Sequence, residues 1–221
     1  MQLLTFNIFR VELSYLVIEG NIGAGKTSFA KKIAAECNAK LILEQFADNP
    51  FLPKFYKEPD KYSFQLELSF LAERYHQLNN ELTSRDLFKS FTVADYYFMK
   101  SLIFARSTLR DDEYNLYRQI FDIIYKTIPK PDLYVYLHQD VPKLKRNIVK
   151  RGRDYEQDIS DNYLAKIQQG YFDFFKMQND MTFLIIDINE LDFVENKADY
   201  EEIKKVIFRK KYEKGINRLI I

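Results

Sequence analysis

Eight residues, GNIGAGKT (20–27), carry the strongest chemical signal in the chain and fit the pattern G-x-x-x-x-G-K-[ST]. Gly20, Gly23 and Gly25 let the backbone turn tightly enough for successive N–H groups to face one concavity. Gly20, Asn21, Ile22, Gly23, Ala24, Gly25, Lys26, Thr27 and Ser28 are therefore expected to hold a polyphosphate. The helix that starts there adds its positive end, Lys26 brings a compact charge to the β- and γ-phosphates, and Thr27 offers a hydroxyl to Mg²⁺. The chemistry implied is use of a nucleoside triphosphate with Mg²⁺. NKAD (196–199) imitates a guanine-reading N-K-x-D box, but no D-x-x-G occurs in the chain, which speaks against a nucleotide-dependent switch.

A phosphate acceptor needs its own chemistry. Glu44 closes the apolar run KLILE (40–44), where it is placed to take the proton of a hydroxyl as the new bond forms. No arginine lies between Arg10 and Arg74, so a cationic clamp for an already phosphorylated acceptor is weak, with Lys54, Lys57 and Lys61 as substitutes. A neutral alcohol is the expected acceptor, and a nucleoside monophosphate kinase is the alternative. Asp95 follows the run LFKSFTV (87–93), the usual placement for an Mg²⁺-associated acid or a helix cap. Gln65 lies off the apolar stripe of its helix and has an amide able to pair with a base edge, and Phe104 offers a ring for stacking. Arg151 and Arg153 flank Gly152 in RGRDYEQD (151–158), a closing lid at about 151–159 whose planar forks match phosphate oxygens. Cys37 reads as core, and His76 and His138 lack partners at metal-ligand spacing.

These residues need a scaffold that brings strand ends together. Apolar runs at 15–19, 40–44, 87–93, 132–137 and 182–188 alternate with helix-period segments at 29–37, 61–82, 95–109, 112–127, 141–151, 160–177 and 198–209. The expectation is an α/β fold, a P-loop NTPase-like three-layer sandwich with a five-stranded parallel sheet flanked by helices. Its site lies beyond the carboxyl ends of the strands. A single domain over 1–221 is expected, with 1–14 and 210–221 peripheral. Hydrophobic residues are 47% and charged residues 29%, with six Gly and six Pro, which excludes a disordered or collagenous chain. A net charge of +1 gives no general reason to bind polymeric nucleic acid or a membrane, and one cysteine excludes an internal disulfide framework. No run of about 18 apolar residues occurs and the first residues lack a signal-peptide pattern, so a cytoplasmic location is expected.

Taken in order, VIEGNIGAGKT, LILEQFADNPFLPKFY, YSFQLELSFLAERYHQL, VADYYFMKSLIFA and KRGRDYEQDI resemble the deoxynucleoside kinase family over about residues 15–190, especially bacterial members acting on purine deoxynucleosides. The resemblance implies transfer of the ATP γ-phosphoryl group to a sugar 5′-hydroxyl in nucleotide salvage, by a homodimer. It implies that Glu44 activates that hydroxyl, Gln65 pairs with the base, Phe104 stacks on it, Tyr56 and Glu156 hold the 3′-hydroxyl, and Arg151 and Arg153 grip phosphates. Two departures stand out. Ala94, Asp95 and Tyr96 replace an acid-Arg-Ser run, so the arginine that supports the catalytic acid is missing from its usual place. Asn147 also stands where many relatives carry a lid arginine, beside Arg146. A similar Asp-Tyr pair and a lysine at the place of Lys100 mark the bacterial branch. The helices at 61–82 and 95–127 carry more apolar residues than one sheet face needs, which fits a homodimer interface.

Overall fold

Six runs rich in β-formers become strands: β1 (Tyr15–Gly20), β2 (Lys40–Ile42), β3 (Thr92–Ala94), β4 (Leu133–His138), β5 (Thr182–Asp187) and β6 (Gly215–Ile220). They are seen in a computed structural model that describes residues 13–45, 49–84 and 86–221, with the backbone alone at Tyr56, Tyr155 and Arg209. The helices between them are α1 (Lys26–Glu36), α2 (Leu52–Lys57), α3 (Pro59–Thr83), α4 (Lys100–Thr108), α5 (Asp111–Tyr125), α6 (Val141–Arg151), α7 (Asp161–Met177) and α8 (Lys197–Arg209). A short 3₁₀ turn spans Asp154–Glu156.

Every pairing in the sheet is parallel, in the order β2-β3-β1-β4-β5-β6. The period of two along each strand divides two cores. Tyr15, Val17, Tyr134, Tyr136, Phe183 and Ile185 face one core, shared with Leu71 and Leu78 of α3, Ile103 of α4, Phe121 of α5 and Phe174 of α7. Leu16, Ile18, Val135, Leu137, Leu184 and Ile186 face the other, against Phe29 and Ile33 of α1 and Ile203 and Ile207 of α8. Each such fully buried side chain contributes about 1.5–3 kcal/mol. A parallel sheet covered on both faces by helices is the three-layer architecture expected.

The sheet has six strands, not five. Residues 210–221 are not peripheral, because β6 pairs with β5 from Thr182↔Gly215 to Asp187↔Ile220. This edge strand carries Asn217 and Arg218 and is only partly buried, at alternate positions, so its sequence reads as a polar tail. The third strand is also shorter than its apolar run. Leu87 and Phe88 are 84% and 88% exposed, and the Phe88 N–H donates to Asp86 Oδ1 in a turn. The helix expected from 95 begins only at Lys100, after a turn that buries Tyr96, Tyr97 and Phe98. Residues 1–12 lie outside the described residues.

The strand order changes direction beside β1, with β3 on one side and β4 on the other, which opens a crevice at the carboxyl ends. The register sets Val17 of β1 and Ile42 of β2 level with Ala94 of β3. Residues just past these strands therefore meet: the glycine loop after β1, Glu44 after β2 and Asp95 after β3.

Candidate active site

The loop between β1 and α1 has the geometry its sequence demands. Gly23 and Gly25 have φ of 85° and 82°, the left-handed region that side chains disfavour. A Cβ on Gly23 would meet the Leu144 carbonyl oxygen at 2.8 Å, and one on Gly25 would strike the Phe193 ring at 2.6 Å. No side chain caps the N-terminus of α1, so its first amides stay available to an anion. Asn21 faces inward instead: its amide donates to the Leu164 carbonyl at 2.8 Å, and its Oδ1 accepts from the Ile22 N–H. Asn147 of α6 donates to the Gly23 carbonyl and to Gln139 Oε1, each at 2.9 Å, and so braces the loop from behind.

Lys26 reaches the Asn21 carbonyl at 3.0 Å. Burial, with Lys100 nearby, lowers its pKa to about 8, against the pull of Glu19, Glu44 and Asp95. Glu19, the last side chain of β1 before the loop, is fully buried. It accepts from the Tyr97 N–H at 3.0 Å and the Tyr171 hydroxyl at 2.9 Å, and burial raises its pKa.

Asp95 ties the donor side to the acceptor side. Its Oδ2 accepts from Thr27 Oγ1 at 2.5 Å and its Oδ1 accepts from the Glu44 N–H at 2.8 Å. A hydroxyl and a carboxylate beside the loop form the oxygen donor set that suits Mg²⁺, which keeps waters and phosphate oxygens as its other ligands. Among the described residues no group of three or more His, Cys, Asp or Glu could hold a metal, so the protein supplies only part of such a shell.

Glu44 is nearly buried and doubly paired. Arg74 meets its Oε1 through Nε at 2.9 Å and Nη2 at 2.8 Å, and Lys100 meets its Oε2 at 2.5 Å. Burial alone would raise its pKa, but Lys100 and Arg74 outweigh it and hold the carboxyl at about 2. The acid thus has its cationic support from α3 and α4, although Asp95 stands where the family's arginine is expected. Arg74 is positioned in turn by the Ser101 hydroxyl at 2.9 Å.

A cavity of about 480 Å³ joins these groups. Lys26, Thr27, Asp95 and Glu44 line one part, and Leu66, Phe70 and Phe104 line an apolar part. Arg151, Arg153 and Glu156 also line it. Glu156 is buried and holds both Arg151, on Oε2, and Arg153, on Oε1. Of the residues singled out in the sequence, Ile22, Lys26, Thr27, Glu44, Asp95, Phe104, Arg151, Arg153 and Glu156 come together here.

Gln65 does not. It is exposed, and the cavity face of α3 carries Glu67, Phe70 and Arg74. These follow one another at i, i+3 and i+7, which leaves Gln65, about 200° around the helix from Glu67, on the far side. The Tyr56 side chain lies outside the described residues. Arg146, beside the Asn147 that stands in place of a lid arginine, is exposed and does not line the cavity. Ser28 is half-buried in the first turn of α1 and is not part of the cavity wall. Sequence reasoning missed Glu67, Phe70 and the pairing role of Arg74; the i, i+3, i+7 spacing of these three residues is the signal that could have found them.

A family model described as deoxynucleoside kinase matches residues 16–211. The chain is 37% identical over 195 residues to a deoxyguanosine kinase of Bacillus subtilis, which covers 86% of this chain and 93% of that protein. It is 30% identical over 203 residues to a deoxyadenosine kinase of Dictyostelium discoideum, covering 88% and 82%. A solved deoxyadenosine kinase from M. mycoides with bound dATP shares the fold, with a TM-score of 0.75 and 24% identity over 87% of this chain and 98% of that one.

Proposed function

The chain belongs to the deoxynucleoside kinase family, and from that premise we propose that it phosphorylates the 5′-hydroxyl of a purine deoxynucleoside with ATP. The observation that carries this reading is the single cavity that runs from Lys26 past Glu44 to Phe104. It joins a phosphate cradle, an acid and an aromatic wall. Relatives that are deoxyguanosine and deoxyadenosine kinases support a purine as the base.

The loop amides, the α1 N-terminus and Lys26 bind the triphosphate. Thr27 and Asp95 would hold Mg²⁺, which supplies charge neutralisation of the β- and γ-phosphates when bound. Glu44 accepts a hydrogen bond from the 5′-hydroxyl and orients it. Held at a pKa of about 2 by its two cations, it is a weak base in the ground state. It suits a loose transition state, in which the hydroxyl proton leaves late, once its acidity has risen. Arg151 and Arg153 meet the moving charge, and Glu156 holds them in place while lying beside the sugar. Phe104 and Phe70 enclose the base.

A monophosphate acceptor fits this cavity less well. Arg74 and Lys100, the cations on the acceptor side, are both bonded to Glu44. A panel of four deoxynucleosides and their monophosphates with labelled ATP tests the reading. Turnover of deoxyguanosine or deoxyadenosine is expected; turnover of monophosphates alone would refute it. A homodimer is also part of this proposal: Leu116 and Ile123 of α5 are 51% and 71% exposed and lie about two turns apart on one side of the helix.

A further inference from the structure

The apolar end of the cavity contains one group that the reaction above leaves unused. Glu67 of α3 is 3% exposed and lines the cavity with Phe70 and Phe104. Its Oε1 accepts from Thr108 Oγ1 at 2.8 Å, on the turn of α4 that begins at Phe104. Its Oε2 is buried without a hydrogen-bond partner. A buried carboxyl oxygen left unpartnered beside a ligand cavity is a destabilising feature that packing does not require, since anchoring α4 to α3 needs only Oε1.

We infer that Glu67 reads the Watson–Crick edge of the base, its carboxylate accepting from the N1–H and 2-amino groups of guanine and its protonated form donating to N1 of adenine while accepting from the 6-amino group. The two bases present opposite patterns at this edge. Guanine offers two adjacent donors; adenine offers an acceptor beside a donor. A carboxylate has acceptor sites only, and a carboxylic acid adds one donor. The protonation state of one side chain thus selects between the bases.

The surroundings place that choice near neutrality. The charged and titratable groups facing Glu67 are Arg74 on its own helix, Lys100 on α4, Tyr117 on α5, and Glu44 after β2. Arg74 and Lys100 are both committed to Glu44, and among the described residues no cation bonds Glu67 directly. Burial therefore dominates and raises its pKa to about 7, with Arg74 and the Thr108 hydrogen bond opposing.

This inference rests on the proposed purine kinase activity, and the test separates the two. The ratio of kcat/KM for deoxyguanosine to that for deoxyadenosine is measured from pH 6 to pH 8. Both substrates share the donor, Glu44 and Lys26, so those ionisations cancel in the ratio. If each base takes one form of Glu67, the ratio rises about tenfold per pH unit. Glu67→Gln carries a donor and an acceptor at every pH, so its ratio should be flat. A wild-type ratio that does not change with pH while both substrates turn over overturns the role of Glu67 alone. No turnover of either base at any pH overturns the activity beneath it as well.

Discussion

At the scale of single residues, Glu44 shows how a buried acid is kept charged. Its carboxylate would be expelled by desolvation were it not for Arg74 and Lys100, both nearly buried and both within 3 Å. The pairing lowers its basicity, so in the proposed reaction its main contribution would be to fix the hydroxyl and to take the proton late. Glu44→Gln keeps the shape but leaves two cations uncompensated and removes the proton acceptor. We expect kcat to fall by about 10²–10⁴-fold. Binding of a fluorescent triphosphate analogue should change little, because the hydrogen-bonded link from Glu44 to the loop runs from its backbone N–H through Asp95 to Thr27, which the substitution keeps. Wild-type turnover in this variant would remove Glu44 from the mechanism. Since its pKa lies near 2, the pH profile of kcat should also show no limb from Glu44 above about pH 4.

At the scale of elements, the site is assembled by where strands stop. The glycine loop, Glu44 and Asp95 were legible because a β-α repeat puts strand ends on one edge, and because each lies within two residues of its strand. What was not legible depends on helix phase and on distance along the chain. Gln65 and Glu67 are two residues apart on α3 and point to opposite sides, which a residue type alone cannot decide. Arg74 and Lys100 reach Glu44 from 30 and 56 positions away, a meeting made by the packing of α3 and α4. The strand β6 was hidden because an edge strand needs only alternate burial, and Leu87 with Phe88 misled because an apolar pair can sit in an exposed turn. The loop element also makes a measurable prediction. Lys26 is enclosed with a pKa of about 8, and a polyphosphate would raise that value again. Triphosphate binding at pH 9 should therefore take up about one proton, and at pH 6.5 almost none. Calorimetry in two buffers of different ionisation enthalpy reads this directly. Lys26→Arg, charged throughout, should abolish the uptake; equal uptake at both pH values would contradict the assignment.

At the scale of the whole molecule, the two faces of the sheet are finished differently. The face under α1 and α8 is closed by helices whose outer sides are charged, as in the Lys204 pairs with Glu36 and Glu201. The other face carries a double thickness of helix, because α5 packs on α3 and α4. Its buried side holds Tyr117 and Phe121, while Leu116 and Ile123 project outward beside the partly buried Ile120. Leu68 of α3 is exposed as well. An amphipathic helix with apolar residues on both sides meets a core on one and needs a partner for the other. In the proposed homodimer a second copy of this chain would satisfy that need with a two-fold axis near α5, because a self-complementary apolar patch closes on itself and leaves no sticky surface. Sedimentation at micromolar concentration should give a dimer. Leu116→Glu combined with Ile123→Glu should give a monomer whose fold, read by circular dichroism, is intact, because neither side chain belongs to the buried core. A wild-type monomer, or a double variant that stays dimeric, would show that α5 is not the interface.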